Sequence, residues 1–181
     1  LLPGLDLRPD NFSLLLFSAE LYLLERMRLR TLQLPRLKLC LLFAGMFCWW
    51  VNLHAAFSYG LVLLGCYCAG EAAALLLPLA YHKPLGKPSR ETVTLWLCLA
   101  CAAAATLFNP HGAKIYAVLL DHYRQMAVLQ ENIVEWLPAS MFNVYQWPYW
   151  TVLVCAFLAV LWRQLKYRDV PYSHLLMLFY F

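Results

Sequence analysis

Apolar positions come in long runs, not in strict alternation. Residues 12–24, 37–51, 55–80, 92–108, 147–162 and 172 onward contain little besides Leu, Ala, Val, Phe, Trp, Tyr and Cys. Runs without a period of two argue for helices in apolar surroundings and against half-exposed strands. Crossing the hydrocarbon core takes about 20 residues. Several runs are nearer 13–17 residues than 20, so length alone does not decide; with the flanking charges, five runs read as full spans and the sixth, which stops at Phe181, as a partial one. The expected fold class is all-α: a polytopic transmembrane helical bundle forming a single domain over residues 1–181. With no initiator Met, no secretory signal pattern and a final run cut short, the chain reads as an internal section of a longer polytopic protein.

Charge placement orients these spans. Arg26, Arg28, Arg30, Arg36 and Lys38 lie between the first two runs, Lys83, Lys87 and Arg90 between the third and fourth, and Arg163, Lys166 and Arg168 after the fifth. If all five runs cross, eleven of the 14 Lys and Arg residues share one side, leaving Arg8, Lys114 and Arg124 on the other. This is the positive-inside bias, so the basic side is expected to be cytoplasmic. The outer side then holds residues 6–11, a tight turn at Asn52-Leu53-His54, and a long loop over residues 109–146. In that loop Asn109 can cap and Pro110 can open a helix. The following residues 112–129 place Lys114, Asp121 and Gln125 on one face and Ile115, Leu119, His122 and Met126 on another, as in a helix lying in the interface plane. Trp147, Tyr149 and Trp150 mark re-entry into the bilayer.

Composition excludes two other classes. The chain is 63% hydrophobic and 13% charged, with a mean hydropathy of +0.60. A soluble globule carries about 25% charge, and a disordered chain is poor in the aromatics that make up 15% here. The seven cysteines all fall inside apolar runs, where thiols behave as small hydrophobes. Neither a disulfide framework nor a metal site is expected. Cys66 and Cys68 diverge on a helix, and Asp121-His122 is an incomplete ligand set. Glycines at 60, 65 and 70, with the alanines of the third and fourth runs, permit close helix packing.

The remaining polar residues each admit two roles. Asn52 and His54 satisfy backbone groups freed at a turn, or contact a ligand or phosphate in an outer cavity. Lys114 and Arg124 bind a lipid phosphate, or anchor the in-plane helix to headgroups. His111 belongs to the same outer cluster. Arg8 holds a phosphate or snorkels to the interface. Glu135, beside Trp136, can hold a sugar by hydrogen bonding and stacking, and Glu131 has a weaker claim to the same role. Glu20 and Glu71 read as snorkelling acids near the cytoplasmic ends of their spans, so the span middles are expected to be apolar. No P-loop, Gly-x-Ser-x-Gly, His-Glu-x-x-His or GxGxxG motif occurs.

Several segments taken in order carry a resemblance. They are Leu7-Arg8-Pro9 before a span, the basic loop, Trp49-Trp50-Val51-Asn52-Leu53-His54 followed by Gly60, Asn109-Pro110-His111-Gly112, and Ile133-Val134-Glu135-Trp136. Together they resemble a middle section of bacterial C-type (GT-C) membrane glycosyltransferases, in particular the family-39-like group that includes protein mannosyltransferases. The resemblance implies transfer of a sugar from a polyprenyl-phosphate donor to a lipid, glycan or protein acceptor outside the cytoplasm. It implies a multi-pass protein of the bacterial inner membrane, no cofactor, no metal and no nucleic-acid partner. A carboxylate general base would lie in a first outer loop upstream of Leu1, and Asp6 and Asp10 are given no part in it. Arg8, Lys114 and Arg124 become phosphate contacts, His54 and Glu135 position sugar or acceptor, and Asn52 and His111 are further substrate-binding residues. A transporter or flippase section, or a non-catalytic assembly subunit, are the competing readings.

Overall fold

Pro9 at the first helical position, Asp10 in the first turn and Arg26 and Arg28 in the last favour a helix over these residues. In the computed structural model that helix is α1, Pro9–Arg28. The structure describes residues 9–80, 88–125, 142, 147–167 and 172–180. The further helices are α2, Arg36–Leu53; α3, Phe57–Ala80; α4, Arg90–Ala105; α5, Lys114–Arg124; α6, Trp147–Tyr167; and α7, Tyr172–Tyr180. Among the described residues there is no strand.

α1 ends abruptly because Arg30 adopts φ 55°, the left-handed conformation usually left to glycine. The side chain of Arg26 fastens this turn. It donates to the Thr31 carbonyl at 2.8 Å, to the Thr31 hydroxyl at 2.7 Å and to the Tyr22 hydroxyl at 2.7 Å. At the start of α4, Ser89 accepts from the backbone N–H of Thr92 at 3.1 Å, a side-chain N-cap. The Glu91 carboxylate, stabilised by its own backbone N–H and by the Ser89 hydroxyl, is held below the usual carboxylate range.

The first four helices alternate in direction, so α1 runs parallel to α3 and α2 to α4. Matching levels show it. Arg36 Nε donates to Thr94 Oγ1 at 3.1 Å, Cys40 Sγ lies 4.0 Å from Cys98 Sγ, and Asn52 Nδ2 donates to the Phe108 carbonyl at 2.9 Å. Phe43, Phe47, Trp50, Phe57, Leu63 and Leu64 form the centre of the core, all essentially inaccessible. Ala102 and Ala105 keep α4 slim where it meets this core. α7 packs on α3, where Gly70 lets the Ser173 backbone approach; an added Cβ would lie 2.5 Å from the Ser173 nitrogen. α6 contacts α7 and presents Val152, Val154, Phe157, Leu158, Leu161 and Trp162 outward.

Among the described residues, two helices are long and apolar enough to cross a membrane: Arg36–Leu53 and Phe57–Leu76. About a third of the residues in each are fully buried, and α2 leaves Leu37, Leu41, Leu42 and Trp49 exposed. Five full spans were expected. α4 has 16 residues, the apolar part of α6 is Trp150–Trp162, and α1 is interrupted by Glu20, Glu25, Arg26 and Arg28.

Other boundaries also differ. Asn52 and Leu53 finish α2, and the chain turns at His54–Ala56. Asn109 does not cap a helix. Its side chain accepts from His111 N–H at 2.7 Å and donates to the Thr106 and Gly112 carbonyls, closing a turn in which Gly112 has φ 53°. α5 therefore starts at Lys114, with Ala113 before it and no side-chain cap. Its Ile115 and Leu119, read from the sequence as one face of a helix lying in the interface plane, instead pack on the core, while Asp121 and Gln125 are exposed. His122 is exposed as well, and Met126 lies outside the described residues.

Candidate functional site

One group of polar side chains gathers where α1 begins and α2 ends. Asp10 and Ser13, three residues apart on α1, face the turn that follows α2. His54 leaves the helix in an extended conformation, which aims its ring back at α1. His54 Nε2 is 2.9 Å from Asp10 Oδ1, and Nδ1 is 3.2 Å from Ser13 Oγ. The backbone N–H of Ala56 donates to Nδ1 at 3.2 Å, and the Trp50 indole N–H donates to Ser13 Oγ at 3.0 Å.

These bonds assign the hydrogens. Nδ1 accepts from Ala56, so the ring proton of neutral His54 sits on Nε2 and is donated to Asp10. Ser13 accepts from Trp50 and has its own O–H free to donate to Nδ1. The result is a chain Trp50→Ser13→His54→Asp10. Both ring nitrogens are engaged, but the Asp10 side chain is 68% exposed. The group open to a ligand is thus the carboxylate, with the imidazole orienting it. Beside it lies a groove of about 380 Å³ lined by Leu14, Phe17, Trp50, Ala56 and Tyr59 together with the chain's own residues. Its walls are hydrocarbon and aromatic, suited to an isoprenoid or acyl chain with a polar head at Asp10.

The other predicted residues separate into ties and free groups. Asn52 is a tie: besides Phe108 it donates to the Cys48 carbonyl at 2.7 Å, joining the ends of α2 and α4. His111 sits exposed on the Asn109 turn, and Lys114 is exposed at the start of α5. Both belong to the His54 end, because Tyr116 of α5 shares a short hydrogen bond with Thr106 and meets the Phe57 ring edge-on at 6.3 Å. Arg124 leans toward Asp121, with 3.5 Å between Nη1 and Oδ1. Arg8, Glu131 and Glu135 lie outside the described residues.

Sequence reasoning missed two things. Asp10 was given no role although it shares a face with Ser13; only the fold shows that His54 lies opposite. Glu20 is not a snorkelling acid. It is 0% exposed, wedged against Gly60, Trp50 and Phe47, and neither carboxyl oxygen has a hydrogen-bond partner. Further along the same seam, Glu25 receives Arg28 at 2.6 Å, His174 at 2.7 Å and the Tyr67 hydroxyl. Glu71 accepts from the Thr92 hydroxyl at 2.8 Å, which ties α3 to α4. The signal was present as spacing, since Ser13 and Glu20 are one heptad apart on the buried face of α1.

A second cleft, of about 490 Å³, opens at the opposite end among Arg30, Gln33, Arg36, Arg90 and Glu91. The cations of the first basic loop and Arg90 therefore share one end of the bundle, away from His54. No protein-family model, characterised protein or solved structure matches this chain.

Proposed function

We propose that this chain is a section of a multi-pass membrane glycosyltransferase of the C type, working at its His54 end on a polyprenyl-phosphate sugar. The observation that carries the reading is the Asp10–His54 pair at the mouth of an apolar groove. Asp10 takes the proton of the acceptor hydroxyl as that oxygen attacks the anomeric carbon. The bond from that carbon to the phosphate oxygen breaks, and the polyprenyl phosphate leaves. His54 is the positioning residue. Lys114 and His111 stand at the same end for the departing phosphate, and Arg8, Arg124 and Glu135 keep the phosphate and sugar roles that the resemblance implies.

The topology follows the same reading. The cation-rich end faces the cytoplasm of a bacterial inner membrane, and the His54 end faces out. α1, α4 and α6 cross alongside α2 and α3, shielded in part by one another.

Transfer from a polyprenyl-phosphate sugar by the full-length protein is the test. Asp10→Asn is expected to lower turnover by about 100-fold or more, the scale of a lost general base. His54→Gln is expected to lower it less, with a shifted pH profile, because the carboxylate survives without its orienting partner. Wild-type turnover in a folded Asp10→Asn protein would overturn Asp10 as the base.

A further inference from the structure

The α1–α3 seam carries ionisable groups at successive levels from one end of the bundle to the other. At the His54 end are Asp10, Ser13 and His54. Next comes Glu20 at the level of Gly60. Below it lie Glu25, Arg28, Tyr67 and His174. Last is a cleft of about 270 Å³ lined by Arg28, Arg30, Tyr67, Glu71, Glu91 and Ser173 among others. The parallel course of α1 and α3 is what stacks these groups in order.

Glu20 is the anomaly in this column. Its neighbours from α2 are Phe47 and Trp50, which bring no charge, and from α3 Gly60, which brings no side chain. The charged and titratable groups nearest along the seam are Asp10 and His54 on one side, and Glu25, Arg28, Tyr67 and His174 on the other. An isolated carboxylate in such a place is costly, and intramembrane acids persist chiefly where they do something. A metal cation needs several oxygens, and this level supplies one carboxyl. A proton needs only that.

Gly60 makes the room: a Cβ there would lie 2.7 Å from Glu20 Oε2 and 2.5 Å from the Trp50 ring. Trp50 is also the partition. Its indole N–H is held by Ser13, and the far edge of its ring abuts the Glu20 level. An indole nitrogen donates and does not accept, so a proton passes only when the ring moves or water enters beside it. Ser13 and Glu20 are about 10 Å apart along the helix, too far for direct transfer.

We propose that Glu20 is the central proton-binding group of a relay along the α1–α3 seam, linking the Asp10–His54 pair to the Glu25–Tyr67–His174 cluster. The relay is independent of the sugar-transfer reading. It supplies the ionisable group at mid-depth that a transporter reading requires and that the sequence was expected to lack.

The test uses the full-length protein in vesicles of phosphatidylethanolamine and phosphatidylglycerol, loaded with a pH-sensitive dye and clamped with valinomycin. An imposed pH gradient is expected to collapse faster than in empty vesicles. Glu20→Gln is expected to bring the rate back to that of empty vesicles while leaving the helical circular dichroism unchanged. Should Glu20→Gln fail to fold, wild-type protein treated with a hydrophobic carbodiimide decides. Loss of flux with the reagent's mass added at Glu20 supports the relay, and unaltered flux overturns it. Wild-type flux no faster than empty vesicles, or wild-type flux in folded Glu20→Gln, overturns it too. Sugar transfer, measured separately, can survive either failure.

Discussion

Arg30 shows how a single residue holds a corner of this fold. Its φ of 55° costs a side-chain-bearing residue about 1–2 kcal/mol, and the Arg26 bonds to Thr31 offset part of that. The Arg30 side chain gains little in return, being 72% exposed and 4.0 Å from Glu91. Arg30→Gly is therefore expected to raise stability by about 1 kcal/mol, read as a higher melting temperature in detergent. A lower melting temperature would mean that the Arg30 side chain matters more than its backbone. The same scale explains why Asp10 and Glu20 differ so much. Both are acids on α1, yet one is solvated and held by an imidazole while the other is sealed behind Trp50 and Phe47.

At the scale of elements, glycine separates packed from open helix faces. Gly70 touches the Ser173 backbone, whereas Gly45 has nothing within 4 Å of an added Cβ. Gly70→Ala is expected to push α7 off α3 and to destabilise by about 1–3 kcal/mol, the usual cost of overpacking. Gly45→Ala, on an open face of α2, is expected to stabilise by about 0.5–1 kcal/mol through helix propensity alone. Thermal melts of the two variants side by side check both signs. Displacement of α7 would also remove His174 from Glu25 and loosen the lower part of the seam.

The whole molecule sorts its charge by end. Arg26, Arg28, Arg30, Arg36 and Arg90 gather where α1 stops and α2 and α4 begin, while His54, His111 and Lys114 collect at the other end. In the full-length protein in intact cells, an epitope inserted at Gln33 is expected to stay hidden until the membrane is permeabilised. An epitope at His111 is expected to be reached from outside. The reverse pattern would overturn the proposed orientation and, with it, the proposal of a site outside the cytoplasm.

Much of this architecture was legible along the chain because it depends on local properties. Run length and the absence of period-two alternation determined an all-helical chain, and its uneven charges predicted which helix ends come together. The Ile115 and Leu119 periodicity likewise placed both on one face of α5, since a 3.6-residue repeat needs no knowledge of neighbours, but only the fold shows that this face meets the core. The Asn109 turn was misread because the same side chain can cap a helix or close a turn, and Gly112 at positive φ favours the turn. Tertiary structure alone decided which helices run side by side. That choice put His54 opposite Asp10 and closed Phe47 and Trp50 over Glu20, because a carboxyl at mid-helix is buried or solvated according to the face its neighbours cover, which no local pattern records.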